Sequence, residues 1–255
     1  MFAKERQKKI AQMLAEHGAV LVSELTERFD VSLETVRRDL LAMEQEERLV
    51  RVHGGAMVKG GLTPVRSFDE RNRTQEKEKE MLSRAAMRHI AECDVIGIDE
   101  GSTGLVFAGV LKEHFSRLTV ITHSLVVFEA LCDYKDFQVI LLGGSFLRHS
   151  RSFVGTLTLE ALRSLHMRSC FIFPSAVSLD FGVSCHSQEL MQVERAMIAS
   201  SDAVFVLADS TKFEKKALYK LCDMSESIAF VTDAGLSREL QILYAENGRN
   251  VIIGE

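Results

Sequence analysis

Tryptophan is absent from this 255-residue chain, and proline occurs twice. With 46% hydrophobic and 26% charged residues, the composition is that of a globular chain with a full core and no long disordered tract. No run of 18 apolar residues exists, which excludes a bilayer-spanning helix. The opening MFAKERQKK is charged at once and no apolar signal region follows, so a cytoplasmic location is expected. The five cysteines, Cys93, Cys132, Cys170, Cys185 and Cys222, are odd in number and never spaced C-x-x-C. They read as reduced thiols mostly packed in the core, and neither a metal site nor a cofactor is expected. Positive charge is not in excess either. The net charge is −5, and residues 1–60 hold ten Lys/Arg against ten Asp/Glu. A chain of this kind does not coat nucleic acid through its bulk charge, so any DNA affinity must come from where its cations sit.

What is present divides the chain in two. In residues 4–16, Ile10, Met13 and Leu14 mark the apolar side of a helix that Gly18 ends. AVLV is a short strand-like run. Ser23 is placed to cap a second helix with Leu25 and Phe29 inward, and Ser32 to cap a third after a tight turn at Asp30–Val31. In VSLETVRRDL and the residues after it, Val31, Val36, Leu40 and Met43 recur at helical spacing. With Val36 inward, a step of about 100° per residue turns Arg38 about 200° away, outward beside Glu34 and Thr35. Leu49–His53 and Ala56–Val58 are two β runs joined by Gly54–Gly55, a hairpin that carries Arg51 and His53, with Lys59 after it. Helix–turn–helix followed by hairpin is a winged helix-turn-helix. In such a module the first turn of the third helix meets base edges, and flanking basic and hydroxyl groups hold phosphates. The residues assigned to DNA are Ser32, Glu34, Thr35, Arg37, Arg38, Arg51 and His53. The competing reading pairs the arginines with Asp39 or Glu34 as ordinary surface salt bridges. The acidic run EQEE (44–47) reads as a solvated helix end.

Residues 58–75, with Gly-Gly, one proline and mixed charge, read as a linker between a 1–57 DNA-binding domain and a 76–255 α/β domain. A helix begins at KEKEMLSRAAMRHIAE. Seven short apolar runs follow: VIGID, LTVIT, QVILLGG, CFIFPSAV, AVFVLAD, IAFVTD and NVIIG. Helical segments near 104–114, 124–133 and 187–200 separate several of them, which predicts βαβ units and a mainly parallel sheet. Four runs end in Gly, Ser, Thr or Lys: at Glu100–Thr103, at Thr122–Ser124, at Gly143–Ser145 and at Ser210–Lys212. Ligands of open α/β sheets bind beyond the carboxyl ends of the strands, and small polar residues opening a helix present donors suited to an anion. Lys212 and Arg148 add positive charge. A single loop of this kind is equally well explained by the turn it makes; several at one sheet edge point to a ligand.

These residues resemble the DeoR family of bacterial transcription regulators. The resemblance rests on R-x-x-x-I-x-x-x-L from Arg6, S-x-x-T-V-R-R-D-L from Ser32, R-V-H-G-G-A from Arg51, D-x-G-S-T from Asp99, LTVIT-x-S, LLGG with Arg148 and Gly155, and ADSTKF from Ala208. It spans nearly the whole chain. It implies a sensor domain whose fold is like ribose-5-phosphate isomerase and the CoA transferases, and repression of a carbohydrate catabolic operon until an effector binds. The effector implied is a phosphorylated sugar; the other partners are double-stranded operator DNA and further copies of the chain in a homo-oligomer. By position, the effector residues are Lys79, Asp99, Gly101, Ser102, Thr103, Thr122, Ser124, Gly143, Gly144, Arg148, Gly155, Asp209 and Lys212. The chain departs from the family pattern at Glu100, where a small residue is usual, at His123, where Asn is usual, and at Arg168, Phe173, Ala176 and Arg195. A carboxylate at position 100 opposes a phosphate by like charge. Two other functions stay open on sequence: an isomerase- or CoA-transferase-like enzyme with Asp99 or Glu100 as base, and a regulator of an unphosphorylated ligand.

Overall fold

The computed structural model describes residues 3–17, 19–46, 48–52, 55–57 and 68–254. The chain divides into two compact units, residues 1–65 and 66–255.

In the smaller unit, helices α1 (Ala3–His17), α2 (Val22–Phe29) and α3 (Leu33–Gln45) accompany strands β1 (Ala19–Leu21), β2 (Val50–Val52) and β3 (Gly55–Met57). The strands form an antiparallel sheet in the order β1-β3-β2, so the wing gains a third strand from the AVL run after α1. The second helix starts at Val22, one residue ahead of the cap expected at Ser23. Ser32 does cap α3: its hydroxyl accepts the Thr35 N–H at 3.3 Å. Asp30, at φ 48°, makes the turn between α2 and α3. Ile10, Leu25, Val36, Leu40, Met43 and Leu49 are at most 1% exposed and form the core of this unit. The helical spacing read from the sequence is therefore the spacing of buried side chains.

The larger unit opens with α4 (Phe68–Asn72) and α5 (Glu76–Ala86). A seven-stranded sheet follows, built from β4 (Val95–Ile98), β5 (Thr119–Thr122), β6 (Gln138–Leu141), β9 (Met167–Ile172), β12 (Ser201–Leu207), β14 (Ile228–Asp233) and β15 (Asn250–Gly254). Every pairing is parallel and the order is β15-β14-β12-β9-β4-β5-β6. These are the seven apolar runs of the sequence. Helices α6 (Ser102–His114), α7 (Leu125–Leu131), α8 (Thr156–Arg163), α9 (Gln188–Ala199) and α10 (Arg238–Glu246) connect them. An antiparallel hairpin, β7 (Ser145–Leu147) with β8 (Ser152–Val154), and a three-stranded antiparallel sheet of β10 (Ala176–Ser178), β11 (Gly182–Cys185) and β13 (Tyr219–Cys222) complete the unit.

Alternation along the strands fills a core on each side of the sheet. Cys170, Ile172, Val204 and Val206 pack with Leu190, Val193 and Met197 of α9. Phe171, Phe205 and Leu207 pack with Leu82, Phe107 and Leu111 of α5 and α6 on the other face. Strands buried on both faces cannot alternate apolar with polar, which is why they read as unbroken apolar runs. Among the described residues, no helix is long and apolar enough to cross a membrane.

The chain enters the sheet at β4, builds outward to β6, and returns to place β9 on the other flank of β4. The order reverses between β4 and β9, and the crevice for a ligand lies outside the carboxyl ends of the strands at such a reversal.

Candidate functional site: recognition helix and strand-end crevice

In the smaller unit, α3 is fixed by its buried face and by one internal ion pair. Asp39 is 4% exposed and accepts from Arg6 Nε at 2.5 Å, which ties α1 to α3. That removes Asp39 as a surface partner for the neighbouring arginines. Arg37, Arg38 and Glu34 are exposed, and among the described residues neither arginine has an ion-pair partner. Thr35, half-buried, shares a hydroxyl contact of 2.9 Å with Ser32, so both take part in the cap. Arg51 projects from β2, and Glu44 accepts from its backbone N–H at 2.8 Å and from Nε at 2.7 Å. Glu44 therefore does more than solvate the helix end: it braces the wing. The hydrogen bonds from Arg51 hold the Glu44 carboxyl below its ordinary pKa. The Arg51 side chain itself remains exposed. His53, Gly54 and Lys59 lie outside the described residues.

In the larger unit, the loops after β4, β5, β9 and β12 meet around Asp99. Asp99 is fully buried. One carboxylate oxygen takes His123 Nε2 at 3.0 Å, and the other accepts the Phe173 N–H at 3.1 Å. The second ring nitrogen of His123 stands 2.9 Å from the Phe153 carbonyl. A carbonyl only accepts, so that nitrogen carries hydrogen, and the other faces a carboxylate. Burial alone lowers the His123 pKa, but Asp99 and the Phe153 carbonyl outweigh it and raise it. The pair has no access to water, and the raised pKa favours the protonated ring.

Glu100, 5% exposed, is gripped at both oxygens by Arg71, Nη1 at 3.5 Å and Nη2 at 3.2 Å. The Glu100 charge raises the Arg71 pKa. Arg71 comes from α4, inside the stretch whose composition reads as linker. Phe68 anchors that helix: it is 5% exposed, and its N–H donates to the His149 carbonyl at 3.2 Å. Gly101 follows at φ +118°, a backbone setting that favours glycine, and a Cβ there would stand 3.3 Å from Arg71 Nη1. It is the N-cap of α6 and offers no side-chain cap to the first N–H groups of that helix, where Ser102 and Thr103 are buried.

The lysines are tied to backbone carbonyls. Lys79 donates to the carbonyls of Arg71 and Thr74, the latter at 2.6 Å, and burial lowers its pKa to about 8. Lys212 donates to the Pro174 carbonyl at 2.8 Å with Asp209 at 3.9 Å, and burial pushes its pKa down. Asp209 caps the short turn at Ser210–Lys212 through the Thr211 N–H. Thr122 and Ser124 likewise shape their own turn: the Ser124 N–H donates to the Thr122 hydroxyl at 3.1 Å, and the Ser124 hydroxyl caps α7.

Thus Lys79, Asp99, Gly101, Ser102, Thr103, Asp209 and Lys212 are gathered at the strand ends. Gly143, Gly144 and Gly155 group separately around the hairpin. Thr158 donates to the Gly143 carbonyl at 2.8 Å, and Gly144 leaves no room for a Cβ against Thr158 and the Val154 carbonyl. Arg148 is exposed in the turn between β7 and β8, and among the described residues no contact ties its side chain to the Asp99 group. Three residues of the crevice were not among the sequence candidates: Arg71, Glu194 and His186. Glu194 is 2% exposed; burial, then Asp99 and Glu100, raise its pKa well above the carboxylate range. Its signal was in the sequence, because Leu190, Val193 and Met197 put position 194 on the inner face of α9. Burial, then Arg71 and Lys212, lower His186 to about 4, so it is neutral at physiological pH.

A winged module that presents unpaired arginines, together with an α/β unit that has a polar crevice at its strand reversal, defines a ligand-responsive DNA-binding regulator. Residues 6–59 match the DeoR-like helix-turn-helix domain and residues 74–234 the DeoR C terminal sensor domain. The chain belongs to the DeoR family of transcription regulators. It is 32% identical to the HTH-type transcriptional regulator YgbI of Escherichia coli over 97% of this chain and all of that protein. It is 29% identical to the glycerol-3-phosphate regulon repressor of E. coli, over 90% of each, and 27% identical to the HTH-type transcriptional repressor GlcR of Bacillus subtilis, over 100% of this chain and 98% of that one. Ribose 5 phosphate isomerase A from Neisseria gonorrhoeae aligns with 56% of this chain and 55% of its own at 18% identity and a TM-score of 0.41, an overlap that carries no functional weight.

Proposed function

We propose that the protein is a cytoplasmic repressor of a carbohydrate catabolic operon. Residues 1–57 grip operator DNA, and residues 76–255 bind a small carbohydrate-derived effector that releases it. The observation that carries the DNA reading is the unpaired outward face of α3: Arg37 and Arg38 stand exposed while Asp39, between them and the core, is claimed by Arg6. Ser32, Glu34, Thr35 and, on the wing, Arg51 and His53 complete the contact surface. A homo-oligomer follows from the small contact area of one module, because paired half-sites multiply it. The ligand must bind two arrangements of the DNA-binding modules unequally, or it shifts nothing.

Regulation without turnover is the better reading of the crevice. Asp99 is held by His123 and Glu100 by Arg71, so neither carboxylate is free to act as a base. On effector class the two lines of argument diverge: the family pattern favours a phosphorylated sugar, and the half-buried Arg71–Glu100 pair favours an uncharged one.

Arg38→Ala is expected to weaken operator binding by about 1–3 kcal/mol if the arginine reads a guanine, and to relax preference at that base pair. A gel-shift titration at fixed salt measures both. Unchanged affinity together with unchanged site preference overturns the assignment of α3 as the reading helix.

A further inference from the structure

The crevice has charges of both signs, but each is already answered. Glu100 occupies the position beside the open amino terminus of α6, and the guanidinium nearest to it, Arg71, is committed to that carboxylate through both Nη groups. Lys79 and Lys212 are tied to carbonyls. A phosphate entering here meets a fixed negative charge. To gain Arg71 it must displace Glu100, leaving a 5%-exposed carboxylate without its cation, which is unfavourable.

What the crevice lacks is of another kind. Arg71 Nε and Glu194 Oε2 are both buried, and neither has a hydrogen-bond partner among the described residues. One is a donor. The other belongs to a carboxyl whose pKa burial and the neighbouring Asp99 and Glu100 raise, which favours the form that both donates and accepts. Unsatisfied buried polar atoms are costly, and each calls for a partner such as a water or a ligand group. A hydroxyl group, donor and acceptor at once and without charge, satisfies such atoms; a phosphate oxygen accepts only and adds charge.

We propose that the crevice takes an uncharged, polyhydroxylated ligand, a free sugar or polyol rather than its phosphate ester, and that Glu100 with Arg71 sets this choice. Glu194 and Arg71 Nε receive ligand hydroxyls, and Glu100 rejects the ester. This rests on the strand-end crevice being the effector site.

The test uses the full chain and inorganic phosphate as probe, titrated at constant ionic strength and followed by thermal shift. Wild type is expected to show no saturable phosphate binding. Glu100→Gln frees Arg71 and removes the repelling charge, and is expected to bind phosphate at least about tenfold more tightly than wild type, the factor one charge-assisted contact supplies. Glu100→Ser serves if the glutamine variant does not fold. Adding Arg71→Gln to either variant is expected to abolish the gain. Saturable phosphate binding by wild type equal to that of the variants overturns the inference, as does a sugar phosphate that releases operator from wild type while its free sugar does not. Either result leaves the DNA-binding reading intact. A chain that binds no operator DNA at all fails that reading instead.

Discussion

Asp39→Ala is expected to destabilise the winged unit by on the order of 3 kcal/mol, the lower end of what breaking a buried ion pair costs. Asp39 and Arg6 are 4% and 6% exposed and join α3 to α1 across the core of a unit of about 65 residues. Small domains have little stability to lose. The loss removes much of it, and operator binding falls with it although Asp39 touches no DNA. Urea unfolding followed by far-ultraviolet circular dichroism reads the effect as an earlier first transition. The contrast with Arg38→Ala is diagnostic. That variant loses DNA affinity at unchanged unfolding midpoint, because its side chain is exposed and unpaired. An Asp39→Ala chain with the wild-type midpoint and wild-type operator affinity would show that the Arg6–Asp39 pair does not position α3.

The second large effect is expected at Asp99. Asp99→Ala removes the partner of the fully buried His123 ring and strands the Phe173 N–H, at a cost of about 3–5 kcal/mol to the sensor unit. Asp99→Asn keeps the volume and gives the more informative readout. The His123 pKa is raised in the folded chain. Its contribution is complete below the unfolded value of about 6.5 and is lost as pH rises through the folded value. Wild-type stability is therefore expected to fall as pH climbs from about 6.5, and Asp99→Asn to show a shallower slope. Glu194, also raised, adds a fall of the same sign, so the difference between wild type and variant is the quantity that decides. Lys79, lowered to about 8, acts with the opposite sign above that pH, which makes 6.5 to 8 the window to use. Equal slopes for both chains in thermal unfolding scans across that window would refute a His123 pKa raised by Asp99.

These two sites differ in how far the sequence disclosed them. The outward direction of Arg37 and Arg38 followed from Val36, Leu40 and Met43, because a helix turns by a fixed angle per residue. The fate of Asp39 did not, since its partner Arg6 lies 33 residues away. The seven strands were legible as apolar runs, and so was the clustering of polar residues at the ends of several of them. Arg71 was not: Gly-Gly, proline and alternating charges around it look the same whether the segment swings free or folds as α4 onto Phe68 and Glu100. Arg148 shows the reverse. It sits in a motif of strand-end type, yet the β7–β8 hairpin carries it into solvent.

By itself, the sequence determined the parallel sheet, the winged module and the family, because these depend on periodicity and local turn chemistry that neighbouring residues write together. Which charges cancel was decided by the tertiary structure alone. Arg6 with Asp39, Arg71 with Glu100 and Asp99 with His123 join residues 24 to 33 positions apart. Coulomb energy and desolvation depend on distance and burial in space, which no local pattern encodes.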